Sequence, residues 1–205
     1  MRWQDLAPHH RLPPVAAGMR IGLYGGSFNP AHEGHRKVSL LALQRLRLDQ
    51  IWWLVSPGNP LKDHSNLPDT AARVAQAKAM VSNPRIVVTA FEEAIGTNYT
   101  VETIAFLKQR FPLVHFVWLM GADNLAGFHH WRGWQDIARM VSIAVIDRPG
   151  WTLSATASKS AHVLARYRKP ENQASCLADS TLPAWVFIHG PRTALSSTQM
   201  RQQKK

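Results

Sequence analysis

Cysteine is nearly absent from this chain: Cys176 stands alone in 205 residues. An internal disulfide framework is thereby excluded, and a reducing compartment fits. No apolar run approaches the roughly 18 residues that a membrane-spanning helix needs. The N-terminus carries Arg2, Asp5, His9, His10 and Arg11 where a secretory signal needs an apolar centre. A cytoplasmic protein is expected. Acidic residues are also scarce, 13 against 24 lysines and arginines, for a net charge of +11. That excess permits a polyanionic partner, but the cations are scattered. Only Arg166 to Lys169 and Lys204-Lys205 cluster, and no basic helix or aromatic-interleaved tract marks a nucleic-acid binder. Small phosphate ligands and solubility are the expected use of the charge. Neither G-x-G-x-x-G nor G-x-x-x-x-G-K-[ST] occurs, which argues against a dinucleotide-dependent dehydrogenase and a P-loop ATPase. A G-x-S-x-G elbow for acyl transfer is missing as well.

What is present is a regular alternation. Apolar, β-branched and aromatic runs at Met19 to Tyr24, Ile51 to Val55, Arg85 to Thr89, Val114 to Met120, Val141 to Ile146 and Ala184 to Ile188 read as buried strands. Between them, helical spacing recurs over Arg36 to Leu48, Asp69 to Val81 (capped by Asp69 or Thr70), Thr100 to Leu107 (with Thr100 as cap) and Gly133 to Arg139. Ser154 to Arg168 is expected to form an amphipathic helix followed by an irregular loop, and Ser197 to Gln203 a final helical turn. Near-continuously apolar strands alternating with helices imply an α/β fold: one Rossmann-like, doubly wound, mostly parallel sheet of about six strands. Residues 1–18, with Pro8, Pro13 and Pro14, read as an N-terminal arm on a single domain over 19–205. Ligands of such sheets bind beyond the carboxyl ends of the strands. Gly25-Gly26, Ser56-Pro57, Gly121-Ala122-Asp123, Arg148 and Ser196-Ser197-Thr198 all follow strands.

The stretch Gly25-Gly26-Ser27-Phe28-Asn29-Pro30-Ala31-His32-Glu33-Gly34-His35 joins the first strand to the first helix. A glycine turn brings backbone close to an anion, and a helix start offers free N–H groups and partial positive charge. His32 and His35 are candidates for phosphate contact; metal ligation, or a purely structural role, remains open for both. Ser196 and Thr198 read as helix caps or phosphate contacts, Trp131 as packing or a ring platform. Asp123 is a turn residue or a ribose contact, and Arg148 a surface ion pair or a ligand contact.

Gly-Gly-Ser-Phe-Asn-Pro-x-His-x-Gly-His resembles the signature of the H-x-G-H nucleotidyltransferases, and within them the bacterial nicotinate-nucleotide adenylyltransferases. Similarity continues in order along the chain. It runs through the proline-rich loop from Pro57 to Lys62, Asn98-Tyr99-Thr100, Gly121-Ala122-Asp123-Asn124-Leu125, the aromatic loop Phe128 to Trp134, Arg148-Pro149-Gly150, and Leu195 to Arg201. The resemblance implies a nucleotidyltransferase fold and attack of the 5′-phosphate of nicotinate mononucleotide on the α-phosphorus of ATP, with release of pyrophosphate. It implies His32, His35, Lys62 and Arg201 as catalytic groups balancing phosphate charge. ATP binding would fall to Gly25, Gly26, Ser27, Phe28, His32, His35, Gly121, Asp123, Ser196, Ser197, Thr198 and Arg201. Tyr99, Thr100, Trp131 and Arg148 would bind the acceptor, with Trp131 stacked on its pyridine ring. Mg2+, bound mainly through ATP phosphates, is the expected cofactor. Many family members carry a helix beyond the point where this chain ends, so a differently built last wall of the site is expected.

A phosphate monoester is already anionic at neutral pH, so positioning and charge stabilisation suffice without a general base or a covalent nucleophile. The competing readings are a phosphopantetheine or nicotinamide-mononucleotide adenylyltransferase, a cytidylyltransferase, and a basic RNA-binding protein on the same scaffold. His32 and the aromatic loop favour a flat acceptor ring over a pantetheine arm. No nucleic acid or membrane partner is expected, and an oligomer is compatible with the sequence.

Overall fold

The computed structural model describes residues 5–58 and 67–190. Its centre is one sheet of seven strands: β1 (Arg20–Gly26), β2 (Gln50–Val55), β3 (Ile86–Thr89), β4 (His115–Gly121), β5 (Ser142–Ile146), β6 (Arg168–Lys169) and β7 (Trp185–Ile188). Every pairing is parallel, in the order β3-β2-β1-β4-β5-β7-β6. The order reverses between β1 and β4, which open sheets of this kind use as the ligand crevice. The expected doubly wound parallel sheet is therefore present, with seven strands rather than about six. The added one, β6, has two residues, too few for any periodicity to register.

Side-chain alternation along the strands builds a core on each face. Ile51, Trp53 and Val55 of β2 join Leu43 and Leu46 on one side. Trp52 and Leu54 join Ile104, Leu107 and Phe128 on the other. Both faces are covered by helices: α1 (Glu33–Arg45), α2 (Thr70–Met80), α3 (Phe91–Ala94), α4 (Thr100–Arg110), α5 (Ala122–Gly127), α6 (Trp134–Met140), α7 (Thr152–Thr156) and α8 (Lys159–Val163). No helix among the described residues is long and apolar enough to cross a membrane.

Three local expectations change. Gly25 and Gly26 belong to β1 rather than to a turn, because they pair with Leu54 and Val55 and the Gly26 carbonyl accepts from Ser56 N–H. The helix expected over 154–168 is broken into α7, α8 and a 3-10 turn at Ala165–Tyr167, and the irregular loop expected after it instead holds β6 and a 3-10 helix over Glu171–Asp179. Ser158 causes the break: it is extended, and its side chain accepts from Ala161 N–H, capping a new helix. The N-terminal arm lies against the outer edge of the sheet, where the His9 carbonyl accepts from Ala90 N–H at 2.7 Å. Thr89 Oγ1 donates towards the His9 and Arg11 carbonyls, at 3.2 and 3.0 Å.

Candidate active site

The carboxyl end of β1 leads through Ser27–Ala31 into α1, whose N-cap is His32. The two histidines serve the helix start reciprocally. His32 Nδ1 accepts from Gly34 N–H at 3.1 Å, and His35 Nδ1 accepts from His32 N–H at 3.2 Å. An imidazole nitrogen that accepts carries no proton, so both rings are Nε2–H tautomers. They lie 3.9 Å apart between centroids. Burial, the neighbouring imidazole and the Arg148 charge push the His35 pKa down to about 3. Burial, then Arg148, lowers that of His32. Neutral rings result, each with its Nε2–H as donor, and His32 Nε2 is buried without a partner among the described residues. Part of the expectation is thereby corrected. In this structure the histidines are donors without formal charge, and the Gly34 N–H at the helix start is engaged by a ring instead of being offered to a ligand. Each ring passes the polarity of the helix start outward, accepting on one nitrogen and donating from the other.

His35 is held from behind. Its carbonyl accepts from Ser39 Oγ at 2.9 Å, and Ser39 Oγ accepts from Trp53 Nε1 at 2.7 Å. The Phe28 ring stacks on the Trp53 ring at 4.9 Å and meets the His35 ring at 4.8 Å, with His35 and Trp53 themselves 5.9 Å apart. Tyr24, at 5.9 Å from His35, is buried enough for its pKa to rise to about 12.

A side chain at Gly25 would meet Trp118 of β4 at 2.8 Å, so the missing Cβ admits an indole. Gly121 similarly makes room for the Asp123 carboxylate, with which a Cβ would collide. Asp123 in turn binds Arg148 at 2.6 Å. Its other oxygen, Oδ1, is buried with no hydrogen-bond partner among the described residues, leaving an acceptor free for a hydroxyl. The resemblance assigns Arg148 to the acceptor pocket; here its guanidinium closes on Asp123, and its charge also helps lower the pKa values of His32 and His35.

The expected acceptor residues form a second group. Trp131 follows a 3-10 turn at Phe128–His130 and stands edge-to-face on Trp118 at 6.2 Å and on Phe128 at 5.4 Å. Next to it, Arg132 lies 4.6 Å over the Tyr99 ring and pairs with Glu102 at 3.1 Å. Tyr99, not Thr100, is the N-cap of α4, and no side chain caps that end; Thr100 is the first helical residue. Beneath, Thr103 Oγ1 donates to Glu92 at 2.7 Å, and burial lifts the Glu92 pKa to about 7. Trp118 touches both groups and is the wall between them.

Of the expected site residues, Gly25, Gly26, Ser27, Phe28, His32, His35, Gly121, Asp123 and Arg148 gather at the β1–β4 crevice, and Tyr99, Thr100 and Trp131 gather beside it. Lys62, Ser196, Ser197, Thr198 and Arg201 lie outside the described residues. Sequence reasoning passed over Trp118, Ser39 and Arg73. The first was absorbed into a strand pattern, and the other two into helical ones. Among the described residues no group of three His, Cys, Asp or Glu side chains is arranged around a metal ion.

A sheet that reverses at β1–β4, with paired histidines at that point, defines a nucleotide-handling α/β protein. The chain belongs to the cytidylyltransferase-like family, whose model matches residues 23–203. It is 57% identical over 183 residues to a probable nicotinate-nucleotide adenylyltransferase of Methylorubrum extorquens, covering 89% of this chain and 99% of that one. A protein of the same description from Rhizobium johnstonii is 53% identical over 190 residues, 93% of this chain and 96% of its own length. The fold is shared with the nicotinic acid mononucleotide adenylyltransferase of Plasmodium falciparum, solved in complex with NaAD, at a TM-score of 0.68 and 17% identity over 90% of this chain and 83% of that one. Within its family the chain stands with the nicotinate-nucleotide adenylyltransferases, and it is a nucleotidyltransferase.

Proposed function

We propose that this enzyme transfers the adenylyl group of ATP to nicotinate mononucleotide, forming nicotinate adenine dinucleotide and pyrophosphate for NAD synthesis in the cytoplasm. The observation that carries this reading is the pair of neutral Nε2–H imidazoles at the start of α1, set beside Arg148. An oxygen of the acceptor phosphate attacks the α-phosphorus. The bond from that phosphorus to the bridging oxygen breaks, and its electron pair leaves with pyrophosphate. Negative charge gathers on the α-phosphate oxygens and the leaving group, where preorganised donors lower the barrier. His32 and His35 supply two such donors, Arg148 supplies nearby charge, and Asp123 Oδ1 accepts from a ribose hydroxyl. Lys62 and Arg201 complete the cationic set in this reading.

Among the described residues Asp123 is engaged by Arg148 and stands beside neutral imidazoles, a setting that leaves a magnesium ion to be carried mainly by the ATP phosphates. Such an ion supplies charge neutralisation on the phosphates when bound. On the acceptor side, Trp131 offers a flat apolar face and the start of α4 a positive end for the pyridine carboxylate. Pyrophosphate release is the test, with ATP and, in parallel, nicotinate mononucleotide, nicotinamide mononucleotide and phosphopantetheine. Preference for the nicotinate compound is expected. Product with phosphopantetheine alone, or steeply salt-dependent RNA binding without turnover, would overturn the assignment.

A further inference from the structure

Arg73 belongs to none of the motifs above, yet it is a charged residue that the fold buries. The pattern Ala71-Ala72-Arg73-Val74 on α2 reads as a surface helix, in which an arginine faces water. Arg73 is instead 1% exposed. Among the described residues no carboxylate pairs with it; burial lowers its pKa, and Glu93 and Asp69 oppose that only through longer-range charge. Burying a cation without a counter-ion is costly unless hydrogen bonds replace its water. Here four do. Nε donates to the Pro68 carbonyl at 2.9 Å, Nη1 to the Ser27 and Ser56 carbonyls at 2.9 and 2.8 Å, and Nη2 to Thr70 Oγ1 at 2.9 Å.

Three of these acceptors come from separate segments: the β1–α1 connection, the end of β2 and the approach to α2. The Ser27 contact has a directional consequence. A trans peptide is planar, with its C=O and N–H opposed. Holding the Ser27 carbonyl therefore aims the Phe28 N–H away from the guanidinium. Phe28 has φ +46°, a left-handed conformation that an aromatic residue seldom adopts and that persists only where surroundings enforce it. Arg73, with the Trp53 and His35 rings around Phe28, supplies that enforcement.

We propose that Arg73 is a positioning residue for nucleotide binding, its fork fixing the Ser27–Phe28 peptide so that the Phe28 N–H and the imidazoles beyond it face the phosphates in one geometry. The inference rests on reading Ser27–His35 as the phosphate-binding connection. A lysine keeps the charge but is a point donor without the planar fork, so it cannot span the same carbonyls.

Steady-state kinetics of wild type, Arg73→Lys and Arg73→Gln separate the possibilities. Arg73→Lys should raise the KM for ATP about tenfold, as expected for one lost charge-assisted hydrogen bond, with the acceptor KM within about twofold of wild type. Arg73→Gln should lose more. If the glutamine variant does not fold, Arg73→Lys carries the comparison. On unaltered protein, a non-hydrolysable ATP analogue should slow hydrogen exchange at the Phe28 amide. An ATP KM within about twofold of wild type in Arg73→Lys, an equal loss towards both substrates, or unchanged exchange at Phe28 would overturn the proposal. Wild type that binds the analogue but makes nothing from nicotinate mononucleotide would defeat the acceptor reading instead, and the Arg73 comparison would then be read from nucleotide affinity.

Discussion

Each site histidine has two functions, one per ring nitrogen, and substitutions can divide them. His35 Nδ1 closes the start of α1 by accepting from His32 N–H, while its Nε2–H is the proposed phosphate donor. Asparagine places a polar atom near the Nδ1 position and none near Nε2; glutamine reaches the Nε2 position. His35→Asn should therefore keep the helix cap and fold, yet lower kcat by about 10²–10³, the scale of losing one preorganised donor. His35→Gln should retain more turnover than His35→Asn. Kinetics with thermal unfolding as a control check both, and comparable turnover in the two variants would remove the donor role. A positively charged histidine would instead predict that neither amide substitutes.

At the level of elements, strands and helices that carry long apolar or periodic runs were legible, because periodicity needs length to be visible. The two residues of β6 and the four of α3 carry no such signal. The polar ends of β1 and β4 were legible through their glycines, although the reason for Gly25 was not, since Trp118 comes from a strand some 90 positions later. Arg73 was illegible for the same cause: its partners are carbonyls that only the fold assembles. Trp131 was legible as a ring, but its edge-to-face seating on Trp118 and Phe128 is a tertiary fact. That seating leaves a half-buried indole held at fixed tilt beside the start of α4. Trp131→Ala should raise the acceptor KM about tenfold with little change in the KM for ATP, consistent with losing one aromatic stacking partner. An equal effect on both substrates would make the indole part of the wall between the two groups and nothing more.

The pH dependence of stability is a property of the whole molecule, because two buried groups on different elements pull in opposite directions. Glu92 is raised from 4.5 to about 7, chiefly by burial, with the Thr103 hydrogen bond opposing. The folded state thus holds a proton that the unfolded state releases, and stability is lost as pH rises through that interval. His35 is lowered from 6.5 to about 3 by burial, His32 and Arg148. Its unfolded state takes up a proton first, so stability is lost as pH falls below 6.5. Each contributes about 1.4 kcal/mol per pH unit where its two states differ. Between 4.5 and 6.5 the slopes are opposed and nearly equal, and the wild type should show a plateau there, tilted towards acid loss by the lowered pKa of His32. Glu92→Gln should abolish the compensating gain and lose about 2 kcal/mol between about pH 6.5 and about pH 5 relative to wild type. His35→Asn should gain by a similar amount over the same range. Urea unfolding at several pH values distinguishes the three proteins, and parallel profiles would show that neither group is held out of its ordinary protonation state. Below the range where Glu92 titrates nothing offsets His35, so acid unfolding of the wild type should be steeper than that of His35→Asn, which keeps the acid-sensitive contributions of His32, Glu33 and Glu171.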